Sequence, residues 1–184
     1  MDNNVTAHLA SGLARQGMVV FRFNPQGVGR SETDRNIDED QQLFWEHSTA
    51  PEYEKAMETD TGRAFEFFTG INGKHENVHI IGYSYGCLGA IRLPQQASWI
   101  ERMVLIAPPL ARWPMPPPYP EGGHSTALIW AEDDFACPSD LARNLFDRLP
   151  PPKVFQVLPA GLDHFLVGHE VWLSEWVGRF LQGR

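Results

Sequence analysis

Three places along this chain gather residue types able to do chemistry together. The first is Gly82-Tyr83-Ser84-Tyr85-Gly86, entered directly from the apolar run at residues 78–81 and followed by a helical pattern. A serine between two glycines at a strand-to-helix junction sits on a tight turn that lifts its hydroxyl clear of the sheet. Side chains two residues to either side are predicted to collide across that turn, and glycine removes them. The helix that follows points its N-terminus at the serine, where its partial positive charge favours developing negative charge. A bare G-x-S-x-G occurs by chance around ordinary turns, and its placement between strand and helix is what makes Ser84 a candidate nucleophile. A serine hydroxyl is weakly nucleophilic at neutral pH, so such a residue needs a base.

The second place is the acidic triplet Glu132-Asp133-Asp134, directly after the apolar run at 127–131. A solvated cap for the helix starting near Pro138 is the plain reading of such a triplet. Asp140, inside that helix's first turn, already suits this role and leaves the triplet to be explained otherwise. The third place follows the last strand-like run, where Gly161-Leu162-Asp163-His164-Phe165 holds one of the chain's seven histidines. His169 and His124 compete with His164 for the role of base. His169 falls where the last helix begins, and His124 precedes the acidic triplet's strand.

The elements between these places alternate in type. Val5, Leu9 and Leu13 recur at helical spacing, so the opening residues read as an amphipathic helix. Residues 18–23 read as a buried strand, followed by a loop through Ser31. Residues 32–52 resist assignment. Helices are expected at 56–68, closed by Gly70; at 85–97, cut short or kinked by Pro94; at 138–149; and at 171–181. Strands are expected at 78–81, 103–106, 127–131 and 154–158. This alternation predicts an α/β fold, a mostly parallel sheet with helices on both faces, formed by a single domain over residues 1–184. In such sheets function gathers at the carboxyl ends of the strands.

Composition narrows the class of partner. Fifteen Lys and Arg against 23 Asp and Glu give a net charge of −8, which argues against binding nucleic acid or an anionic membrane. No run reaches membrane-spanning length, the first six residues lack a secretory pattern, and two cysteines are too few for a disulfide scaffold. A cytoplasmic setting is expected. Cys87 reads as a small core residue, Cys137 as partly exposed. No His/Cys/Asp cluster has metal-ligand spacing, and Gly27-Val28-Gly29 lacks the glycine or lysine that a phosphate loop needs. The stretch 112–120 is proline-rich and carries Trp113, Met115 and Tyr119; it reads equally as a stiff connector or as the lining of an apolar pocket. Phe44 and Trp45 are further pocket candidates.

With these motifs in hand, the sequence resembles the α/β-hydrolase superfamily, and within it the small capless hydrolases whose first βα unit ends in R-F-N-F-R-G-V-G-x-S. Here that stretch reads Arg22-Phe23-Asn24-Pro25-Gln26-Gly27-Val28-Gly29-Arg30-Ser31, with Gln26 in place of the usual arginine. Residues 129–138 are similar to I-x-G-x-x-D-x-x-V-P, and 161–165 to G-x-D-H-F. The resemblance covers nearly the whole chain. It implies a Ser-Asp-His order along the sequence: Ser84 as nucleophile, His164 as base, Asp134 as its acid partner with Asp133 the runner-up and Glu132 third. It further implies that the Tyr85 backbone N–H serves the oxyanion. Tyr83 is a further pocket candidate beside Trp113, Met115 and Tyr119, and no cofactor is expected. The expected reaction is hydrolysis of a carboxylic ester or thioester of a small-molecule acyl substrate through an acyl-enzyme, with homo-oligomer formation left open.

The family's second oxyanion donor lies on the loop after the strand preceding the first helix, and this sequence opens at that helix. The strand would belong between those expected at 18–23 and 78–81. The resemblance is thus to an N-terminally shortened α/β-hydrolase fold. Truncation, repacking of the two flanking strands, or a strand from another chain are the open explanations. The same feature supports the alternative of a non-catalytic binding domain with an incomplete oxyanion hole.

Overall fold

Residues 3–26, 28, 30–31, 51–72, 77–95, 99–113, 115 and 124–184 are described by a computed structural model, residues 51–54, 72 and 95 by their backbone alone. Phe44, Trp45 and Tyr119 lie outside these residues, as do Gly27 and Gly29.

Helix α1 (Asn4–Arg15) starts where Asn3 accepts the N–H of Thr6 at 3.1 Å, satisfying one of the donors a helix start leaves free. Val5, Leu9 and Leu13 form its buried stripe, as their spacing predicts. Helix α2 (Pro51–Asn72) extends beyond the expected 56–68 at both ends and runs through Gly70. Strand β1 (Val78–Tyr83) leads through Ser84 into α3 (Gly86–Arg92), which gives way to a single 3₁₀ turn at Leu93–Gln95. Pro94 has no N–H to donate, so the helix stops short of the expected residue 97. Strand β2 (Ile100–Ile106), strand β3 (Ser125–Ala131), helix α4 (Ser139–Arg148), strand β4 (Lys153–Leu158) and helix α5 (Glu170–Leu181) complete the order.

The four strands pair in parallel in the order β1-β2-β3-β4, with Tyr83 opposite Ile106 and Ile106 opposite Ile129. Alternate side chains of the central strands enter different cores, as the period of two requires. Val104 and Ile106 of β2, with Ala127, Ile129 and Ala131 of β3, pack against α1 and α5. Met103 and Leu105 of β2, with Leu128 and Trp130 of β3, pack against α2, α3 and α4. The sheet is therefore covered on both faces. Because the strands are parallel, the segments that follow β1, β3 and β4 emerge at one rim.

Residues 18–23 do not form the expected strand. They have no ladder, Val19 is 71% exposed, and Phe21 rests against Phe67 and Phe68 of α2 with ring centroids 5.7 and 5.6 Å away. A strand is defined by a partner for its backbone groups, and among the described residues β1 is bonded only to β2. The segment and β1 thus do not close up against each other; aromatic contact with a helix holds the segment instead.

Candidate active site

Ser84 terminates β1 in a left-handed conformation, φ 50°, which is unfavourable for any residue with a Cβ. The surrounding sheet holds it there. The Ser84 N–H donates to the Ile106 carbonyl at 2.8 Å, extending the β1–β2 ladder by one residue, and the Ser84 carbonyl accepts the Cys87 N–H at 2.9 Å as α3 begins. A Cβ built on Gly82 would lie 2.7 Å from the Cys87 Cα and 2.8 Å from the Gly86 carbonyl oxygen, so no side chain fits. A Cβ on Gly86 would meet nothing within 4 Å. The expectation that both glycines are sterically required is corrected: the turn crowds Gly82 alone, because the chain folds back over the strand side and leaves the helix side open. Gly89 serves α3 elsewhere, since a Cβ there would collide with the Thr61 hydroxyl of α2.

The segment after β3 carries Glu132, Asp133 and Asp134. Asp134 turns inward and is only 3% exposed, and its Oδ1 accepts the N–H groups of Ala136 and Cys137 at 2.8 and 2.9 Å. Asp133 faces outward and accepts the Gly161 N–H at 2.7 Å, tying this loop to the one after β4. Glu132 is exposed. The β4 loop turns at Gly161, φ 91°, and at Leu166, φ 53°, and brings in His164, which is 7% exposed. Its Nδ1 lies 2.9 and 3.1 Å from the two carboxylate oxygens of Asp134, and its Nε2 lies 2.7 Å from the Ser84 Oγ. Residues 80 and 30 positions apart thus meet in one line of contacts. His169 sits at the start of α5 and His124 is buried ahead of β3, so it is His164 that meets Ser84 and Asp134.

Tyr83 lies beneath the imidazole, with the rings 5.6 Å apart and 25° from parallel. Its hydroxyl donates to the His164 carbonyl at 2.9 Å, and burial pushes the phenol up to about 12. The side chain expected beside substrate thus braces the histidine loop. Asn4 of α1 adds a second tie, donating to the Phe165 carbonyl at 3.0 Å and to Glu170 at 2.8 Å.

Tyr85 directly follows the serine and opens α3, its ring 5.4 Å from that of Trp113. Trp113 and Met115, expected around a pocket, are buried in the core cluster formed with α3 and α4. Cys87 is fully buried, as expected. Cys137, expected partly exposed, is also fully buried, because its N–H serves Asp134 and draws it inward; burial raises both thiols. Both cysteines are free. Among the described residues no cluster of metal-ligating side chains is present, and no helix is long and apolar enough to cross a membrane.

Sequence inspection passed over Phe135 and Phe165, which follow Asp134 and His164 directly. Both rings stand against the imidazole, at centroid distances of 5.4 and 5.9 Å. Their place inside the two motif stretches, 129–138 and 161–165, was the available signal.

No family model matches the chain, and no curated protein matches it significantly. Solved structures do. A lidless α/β serine hydrolase from Xanthomonas campestris superposes with a TM-score of 0.76 at 19% identity, over 100% of this chain and 74% of its own. An α/β-hydrolase candidate of unknown function from Agrobacterium tumefaciens gives 0.76 at 21% identity, over 100% and 80%. The esterase domain of a Rhodothermus marinus protein gives 0.70 at 16% identity, over 99% and 80%. With its parallel sheet covered on both faces, the chain has the α/β-hydrolase fold.

Proposed function

We propose that this protein is a serine hydrolase that cleaves a carboxylic ester or thioester of a small molecule. The observation that carries the reading is the 2.7 Å contact between the Ser84 Oγ and the His164 Nε2, continued at 2.9 Å from Nδ1 to Asp134. An ionised carboxylate only accepts hydrogen bonds, so Asp134 keeps the proton on Nδ1 and leaves the Nε2 lone pair facing the hydroxyl. As Ser84 attacks the carbonyl carbon, His164 takes the serine proton and then gives it to the leaving oxygen or sulfur. The acyl-serine is hydrolysed by water activated in the same way. The Tyr85 N–H, one residue past the nucleophile, donates to the oxyanion at the mouth of α3.

Similarity to structures described as serine hydrolases and an esterase domain supports this reading. Two free, buried cysteines accord with a cytoplasmic setting. A second reading, an acyl-binding domain without turnover, is favoured by the outer edge of β1, which carries no strand among the described residues. A fluorophosphonate probe separates the two. The hydrolase labels at Ser84, turns over p-nitrophenyl esters, and loses both with Ser84→Ala. A protein that binds such esters but neither labels nor turns them over is the binding domain.

A further inference from the structure

Phe135 and Phe165 are 65% and 49% exposed, yet each ring lies against the buried imidazole of His164. Their centroids are 6.2 Å apart, so the two rings form one apolar surface beside the imidazole. Single exposed aromatics are common on any protein. Here two of them, from different loops, converge on the side chain whose tip touches Ser84. The loops are tied together by the bond from the Gly161 N–H to Asp133, so the pair is held by the same framework as the histidine.

Resting on the hydrolase reading above, we propose that Phe135 and Phe165 bind the leaving half of the substrate and select neutral, apolar alcohols or thiols. The assignment to the leaving half follows from proton transfer. In acylation the bond from the Ser84 Oγ to the carbonyl carbon forms and the bond from that carbon to the leaving oxygen or sulfur breaks. The serine proton passes through Nε2 to that atom, which departs as the neutral alcohol or thiol. The leaving atom must therefore come to Nε2, and the chain it carries lies along the imidazole, where the two rings stand. The acyl half points away, toward the Tyr85 end of the elbow. Charge sharpens the choice: the exposed residues of these two loops include Glu132, Asp133 and Asp163 and no Lys or Arg, which disfavours an anionic leaving group.

The test compares two acetates whose alcohols have nearly equal acidity, propyl and hexyl, with a second pair, propyl butyrate and propyl octanoate, that varies the acyl half. The expected result is that Phe135→Ser combined with Phe165→Ser lowers the hexyl-to-propyl ratio of kcat/KM by about tenfold, the effect of losing contact with a few methylenes. The octanoate-to-butyrate ratio stays as in the wild type, and Phe135→Tyr, which keeps the ring surface, keeps the hexyl preference. An unchanged hexyl-to-propyl ratio, or a loss that follows acyl length instead, overturns the proposal. Fluorophosphonate labelling of the same proteins separates the two levels. Labelled variants with unaltered selectivity sink the leaving-group assignment alone, whereas a wild type that does not label sinks the hydrolase reading with it.

Discussion

Replacing each glycine of the nucleophile turn by alanine gives a sharp contrast. At Gly82 the new methyl would meet the Cys87 Cα at 2.7 Å, the Gly86 carbonyl oxygen at 2.8 Å and the Ala90 methyl at 2.9 Å. Two of these are backbone atoms at the start of α3, which cannot yield without moving the turn. Overpacking of this kind costs about 1–3 kcal/mol, and contact with backbone places Gly82→Ala near ~3 kcal/mol. For a chain of 184 residues each kcal/mol is about 2–4 °C in Tm, so the variant is expected to melt about 6–12 °C lower. At Gly86 the methyl enters open space and the backbone lies outside the left-handed region, so Gly86→Ala restricts the unfolded chain at no steric cost. A gain of about 0.4–1 kcal/mol is expected there, seen as a Tm unchanged or raised by a few degrees. Thermal unfolding followed by circular dichroism, with reversibility checked for each variant, measures both. Equal losses at the two positions would refute the argument that the turn crowds only its strand side.

Three further outcomes follow from the site. Ser84→Gly and Ser84→Ala both delete the hydroxyl, but only glycine relieves the left-handed backbone; Ser84→Gly should be the more stable by about 1 kcal/mol, measured by urea unfolding. Tyr83→Phe removes the donor to the His164 carbonyl and should lower kcat by about two- to tenfold with a smaller change in KM, the range of one net hydrogen bond; a kcat within experimental error of the wild type would deny Tyr83 its bracing role. Burial lowers the pKa of His79 and of His124, so the folded state favours their neutral forms. Their contribution to stability is complete above the ordinary histidine value of about 6.5 and declines as pH falls from there toward the lowered values. His124→Gln should flatten the fall in urea midpoint between pH 7 and 5.

Most of the sheet was readable because residues 103–106 of β2 and 127–131 of β3 are buried on both faces and are therefore uninterrupted apolar runs. The same logic failed at residues 18–23, which have the composition of such a strand but no ladder. Apolar, β-branched character records a preference for extended backbone, and says nothing of whether a partner stands alongside. A helix end was legible where a local cause sets it, as Pro94 does at the end of α3, whereas the Asn3 cap of α1 emerged only from the structure. Gly70 carried no such information, since a glycine in a long helix is tolerated when packing holds the flanking turns.

By themselves, the residues made Ser84 the candidate nucleophile, because its setting between strand and helix is local in sequence. They also put the acid within a three-residue window and favoured His164 among the histidines. The family resemblance already favoured Asp134 over Asp133, and the fold supplies the physical reason. Neighbouring residues in a loop point in opposite directions, and only the packed structure decides which one turns inward to an imidazole and which outward to bridge Gly161. The aromatics divide for the same reason. Trp113 and Phe135 are equally apolar on paper, but burial is a property of what lies overhead, and tertiary packing sends one into the core and leaves the other at the rim beside His164.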